Sequence, residues 1–136
     1  MYHSQAQCTD QLLQIQNFKY FGFVVENMLP SLITSCHIFI YPSASDNFPS
    51  VTLQPLASDL LVVTNSEIVS NFREFVEINQ IHKVDNIYES YFKEICRYTS
   101  VEIDFDRERS RDIITNKYDW KIIPDRFYDE IRGVGF

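Results

Sequence analysis

Between Tyr41 and Asp59 the chain reads YPSASDNFPSVTLQPLASD, and its polar side chains have the makings of a ligand site. Pro49 suits the first turn of a helix, because a proline has no N–H to lose there. The free N–H groups of such a helix, around Phe48 to Val51, together with its dipole, would attract a phosphate or another anion. Asp46 just ahead of the helix and Gln54 within it could hydrogen-bond hydroxyls flanking that anion, and sugars and riboses present such hydroxyls. A plainer reading is that Ser45 and Asp46 cap the helix while Gln54 is solvated. Ser43 and Ser45 have no histidine near them in sequence, so a serine nucleophile is not indicated.

The elements that would position these residues follow from pattern. His37–Tyr41 and Leu60–Asn65 are short, continuously apolar runs, as expected of strands buried on both faces. Phe18–Val25, aromatic and β-branched, reads as a further strand, with a helix over Glu26–Ser35 after it. The helix opening at Pro49 carries Val51, Leu53, Leu56 and Ala57, and Pro55 should bend or shorten it. Strand, helix, strand, helix, strand is the rhythm of a parallel α/β sheet, in which ligands gather beyond the carboxyl ends of the strands. Thr9–Gln16 could form a short helix before this unit. After it, Glu67–Asn79 is loop or helix of uncertain extent, Ile87–Tyr98 is an amphipathic helix, and Asp104–Lys117 is a charged one. Asp119 would cap a last helix bearing Trp120, Ile123, Phe127 and Ile131, ended by Gly133. The expectation is one domain over residues 1–136.

Composition narrows the function classes. The chain has 136 residues, 45% of them hydrophobic and 23% charged. That is the composition of an ordinary globular domain. A net charge of -7 argues against nonspecific binding to nucleic acid or to an anionic membrane surface. No apolar run approaches the length of a membrane span. Cys8, Cys36 and Cys96 are odd in number and widely spaced, which fits reduced residues of a cytoplasmic protein rather than a disulfide frame. With His3, His37 and His82 equally scattered, neither a metal site nor a cofactor is implied. Glu26, Glu67 and Glu74 read as surface carboxylates, Asp104–Asp112 as a solvated helix face, and Trp120 as a core plug.

The order Phe21-Gly22-Phe23, Leu29-Pro30, His37–Ser43, Asp46-Asn47-Phe48-Pro49, Gln54-Pro55-Leu56-Ala57 and Leu61-Val62-Val63 resembles the donor-binding half of GT-B retaining glycosyltransferases, the group 1 family. The likeness runs without a gap from Phe18 to Asn65, and KYDWKIIPDRFYDEI is similar to the family's closing segment. It implies a Rossmann-like parallel sheet with flanking helices and a helical C-terminal end, as part of a GT-B C-terminal domain. It also implies a nucleotide-diphosphate sugar as ligand. Family members use two glutamates separated by seven residues, one against the transferred sugar and one on the ribose hydroxyls. Backbone amides after the first meet the sugar and diphosphate. Those places fall on Asp46 as the catalytic position, on Gln54 for the ribose, and on the Asn47–Val51 stretch, with Asn47, Phe48, Ser50 and Val51 as binding residues.

This chain departs from the pattern. Asp46 is one methylene shorter than glutamate, Gln54 is neutral, and Asn47 and Asp59 stand where the family has glycine. The acceptor-binding domain and the first strands of the donor domain have no counterpart here, so a protein partner or a homo-oligomer completing the sheet is expected. Two functions follow: a donor domain that transfers sugar together with a partner carrying the acceptor half, or a non-catalytic interaction module that keeps the fold. A flavodoxin-like signalling domain would need an acidic cluster at the strand ends, and none is present in the sequence.

Overall fold

The computed structural model describes residue 14 and residues 16–43 and 50–119. The short helix expected near Thr9 and the last helix expected after Asp119 lie outside the described residues. Elsewhere the chain forms helix α1 (Leu29–Thr34), strand β1 (Ile38–Tyr41), a 3-10 turn (Ser50–Thr52), helix α2 (Leu53–Ala57) and strand β2 (Leu61–Thr64). Helices α3 (Ser66–Val69) and α4 (Arg73–Glu77), strand β3 (Ile81–Lys83), helix α5 (Tyr88–Ser100) and helix α6 (Arg107–Ile113) follow, and a π-helical turn spans Ile114–Tyr118. The three strands form a parallel sheet in the order β1-β2-β3, with Ile38 opposite Leu61 and Val62 opposite Ile81. This is a Rossmann-like α/β sheet with flanking helices.

Burial explains the strand patterns. Central β2 has neighbours on both sides, and Val62, Val63 and Thr64 are fully buried, as its continuous apolar run predicts. Leu56, Ile68, Phe72, Phe75, Ile81 and Ile113 pack around Val62 to make the core. Strand β1 departs from expectation, since none of its residues is fully buried and Ile40 is exposed. Among the described residues it lies at the sheet edge, where only one flank is paired.

Phe18–Val25 is not a strand. The segment runs as irregular backbone with a bend, and it pairs with no strand among the described residues. Gly22 takes a left-handed φ of 62°, and Phe23 is 94% exposed. A left-handed residue breaks an extended run, and glycine adopts it without strain. Aromatic and β-branched residues favour strands only where a neighbouring strand and a packed face receive them. The helix expected over Glu26–Ser35 is confined to α1, with Pro30 in its first turn. Strand β3 falls just beyond the stretch that pattern left undecided, and α4 is the last helix before it.

Helices α2 and α4 end in the same way. At α2 the Leu60 N–H bonds the Pro55 carbonyl and the Asp59 N–H bonds that of Leu56. At α4 the Gln80 N–H bonds Phe75 and the Asn79 N–H bonds Val76. Both are Schellman closures, which need a left-handed residue. Asp59 (φ 60°) and Asn79 (φ 70°) supply it. Each closure drops the chain directly into the next strand. Helix α6 instead owes its start to Asp106, whose carboxylate accepts the Arg109 N–H.

Candidate functional site

Strands β1 and β2 end level with one another, Tyr41 opposite Thr64, so the chain leaves the sheet for the polar stretch at the carboxyl edge of both. There two consecutive side chains, at the end of β2 and just after it, hold the departing backbone. The Thr64 hydroxyl donates to the Tyr41 carbonyl at 2.7 Å, and the Asn65 side-chain amide donates to the Ser43 carbonyl. Only the NH2 end of Asn65 can face that carbonyl, because a carbonyl oxygen accepts and cannot donate. Thr64 and Asn65 are almost wholly buried.

Of the residues singled out in the sequence, Asp46, Asn47 and Phe48 lie outside the described residues. Ser50 opens the 3-10 turn, Val51 follows it, and Gln54 sits in the first turn of α2. Val51 and Gln54 are exposed and face one cavity of about 560 Å³, whose walls also include Leu29, Leu53, Ala57, Ile114 and Tyr118. Helices α1 and α2 and the π-helical turn therefore converge on it. The surface it offers is mainly apolar, with the Gln54 amide as a donor and acceptor at hand. Pro55 is buried in the first turn of α2, where its missing N–H leaves no intrahelical bond unmade. Beside Val51, Thr52 is fully buried, and its hydroxyl has no partner among the described residues.

Further hollows lie elsewhere, two of them of comparable size. One of about 640 Å³ runs between the end of β3 and α5 and is lined by Lys83, Asp85, Lys93, Glu94 and Arg97. Its charges are partly paired, since Glu94 lies 3.2 Å from His82 and 3.3 Å from Arg97. Burial, and then the Glu94 charge, hold the neighbouring Tyr98 phenol far above its ordinary ionisation range, with Arg97 opposing. The other hollow, about 590 Å³, is apolar and is formed by Phe21, Phe23, Val25, Met28 and Leu32. Among the described residues no group of three or more His, Cys, Asp or Glu could hold a metal ion. No described helix is long and apolar enough to cross a membrane.

Sequence reading reached Val51 and Gln54 but passed over Thr64 and Asn65. The available signal was slight: two polar residues closing an otherwise apolar run, where a strand buried on both faces should turn.

A model of the family described as glycosyl transferases group 1 matches residues 3–119, most of the chain. No curated protein and no solved structure gives a match.

Proposed function

The chain belongs to the group 1 glycosyltransferases, and from that premise we propose that it is a GT-B donor domain binding a nucleotide-diphosphate sugar beyond the carboxyl ends of β1 and β2. Asp46 meets the transferred sugar. The backbone amides of Asn47, Phe48, Ser50 and Val51 take the sugar and diphosphate, and Gln54 takes the ribose hydroxyls. The observation that carries this reading is that Val51 and Gln54 open together on the 560 Å³ cavity. A primary amide both donates and accepts, so Gln54 suits a pair of adjacent hydroxyls. The apolar walls and Tyr118 offer a surface that an aromatic base would cover. Transfer itself also requires an acceptor-binding half. The exposed thiols of Cys36 and Cys96, free rather than disulfide-bonded, fit a cytoplasmic setting.

Titration calorimetry with UDP-glucose, GDP-mannose and ADP-glucose tests the reading. Binding of at least one, weakened tenfold or more by Asp46→Ala or Gln54→Ala, supports it. Absence of heat with all three sinks it.

A second reading has its own observation. Edge strand β1 exposes Ile40, and Tyr20, Phe21, Phe23, Val25 and Met28 are also exposed. Exposed apolar side chains, together with a strand edge that is unpaired among the described residues, suit a non-catalytic interaction module, bound to another protein or to a second copy that completes the sheet. Copurification with a partner, insensitive to Asp46→Ala and Gln54→Ala, would favour this version.

A further inference from the structure

We infer that Asn65 is a positioning residue for the donor turn, its side-chain amide and the neighbouring Thr64 hydroxyl fixing the path on which the chain leaves β1. The ladder geometry shows why side chains are needed. The Leu61 N–H bonds the His37 carbonyl, so in this parallel pair the carbonyls of residues 37, 39 and 41 face β2. The pairing of Tyr41 with Thr64 is the last rung of this ladder, because β2 turns at Asn65 (φ −97°, ψ 175°) to begin α3. The Thr64 hydroxyl adds a bond to the Tyr41 carbonyl, and beyond the ladder the Asn65 amide takes the next carbonyl of the same parity, that of Ser43. Two side chains extend the sheet by two residues, up to the threshold of the stretch holding Asp46.

A second observation separates this role from ordinary helix capping. Asn65 occupies the N-cap position of α3, where asparagine is among the preferred residues, yet its side chain makes no capping bond. The amide is committed to Ser43 instead. Asn65 is also 1% exposed. Water cannot readily replace so buried a donor. The importance of Asn65 for ligand binding rests on the donor reading above, whereas its anchoring of Ser43 does not.

Asn65→Asp removes the donor, although it also places a carboxylate in the interior. It keeps the shape and the capping capacity of the residue but turns an oxygen, which cannot donate, toward the Ser43 carbonyl. Hydrogen exchange, read on a peptide spanning 42–53 and one spanning 60–64, should accelerate at least tenfold in the first and stay near wild type in the second. Asn65→Ser, which can cap but is too short to reach, should give the same pattern and serves if the aspartate variant fails to fold. Titration with UDP-glucose, GDP-mannose and ADP-glucose should show at least tenfold weaker binding in either variant. Exchange that rises equally in both peptides, or in neither, overturns the positioning role. Unchanged donor affinity in a variant whose 42–53 peptide has loosened overturns it too. A wild-type chain that binds none of the three sugars defeats the donor reading, and with it the part Asn65 plays in binding, while the exchange pattern still decides the anchoring.

Discussion

The Ser110 hydroxyl on α6 donates to the Gln80 side-chain oxygen, thirty residues earlier at the mouth of β3. The other end of the Gln80 amide donates to the Leu56 carbonyl at 3.0 Å and the Leu60 carbonyl at 3.1 Å. One fully buried side chain thus ties the end of α2, the entry of β2 and helix α6 together across the core. All the hydrogens and one lone pair of its amide are used, which is the condition for a buried polar group to stabilise rather than cost.

Removing either partner leaves unsatisfied groups inside. Ser110→Ala should destabilise by about 1–3 kcal/mol, the usual penalty for stranding a buried acceptor. Gln80→Ala should cost more than Ser110→Ala, since it takes the amide from the Leu60 carbonyl, one of two bonds from the Leu56 carbonyl and the acceptor from the Ser110 hydroxyl, and opens a void. Denaturant unfolding of both singles and the double checks the link. The double should cost clearly less than the sum of the singles, because neighbours in one network are not additive. Strict additivity would mean that the contact contributes nothing.

Asn79 presents the opposite case, a position where a smaller residue should help. Its φ of 70° is left-handed. That conformation strains any side chain with a Cβ, though asparagine less than most. Its side chain is exposed, while its N–H closes α4 on Val76. Asn79→Gly should therefore stabilise by a few tenths to about 1 kcal/mol, and Asn79→Ala should destabilise by a similar amount. Thermal melts of the pair settle the order, and an alanine variant as stable as the glycine one would contradict it. Asp59 obeys the same geometry but also holds Arg111 at 2.8 Å. Asp59→Gly thus gains conformational freedom and loses an exposed ion pair of small worth.

The Asp59 turn also shows what could be read in advance. Its departure from the family's glycine was plain in the sequence, but only the Schellman closure explains why glycine suits that place. β2 was found because a strand paired on both sides leaves a continuous apolar run. β3 was not, because its three residues include His82 and Lys83 and offer too little pattern to separate from a loop. Phe18–Val25 misled because β propensity measures fit to a neighbour, and among the described residues it has none. Within the candidate site, Val51 and Gln54 lie close in sequence to the proline that announced the helix. The Asn65–Ser43 bond spans 22 residues, and no local rule signals a contact of that separation.

Alkaline conditions should reveal the half-buried phenol of Tyr98. Its ionisation is pushed up chiefly by burial and then by Glu94, so the folded chain keeps a proton that the unfolded chain releases near pH 10. Above that point the unfolded state binds fewer protons, and stability falls as pH rises. The contribution is complete below pH 10 and declines above it. Tyr91, also raised by burial, acts in the same sense. Melting temperatures measured from pH 8 to pH 11.5 should fall more steeply in wild type than in Tyr98→Phe once pH 10 is passed. Parallel curves would show that Tyr98 ionises as freely folded as unfolded.

Gln54 offers the most direct reading of the proposed donor site. A neutral amide on a ribose makes ordinary hydrogen bonds, each worth about 0.5–1.5 kcal/mol net, whereas bonds to a charged group reach about 1.5–3 kcal/mol. Gln54 is exposed at the cavity rim, so a carboxylate there would not be stranded in the interior, and the fold should accept it. Gln54→Glu should then tighten binding of the preferred nucleotide sugar by roughly 1 kcal/mol, about fivefold. The gain should vanish when the ribose hydroxyls are removed, so the matching 2′,3′-dideoxynucleotide sugar should bind both proteins equally. Calorimetry on the two proteins with the two ligands forms a closed cycle. A glutamate that binds more weakly than glutamine, or tightens both ligands alike, would place the ribose away from residue 54.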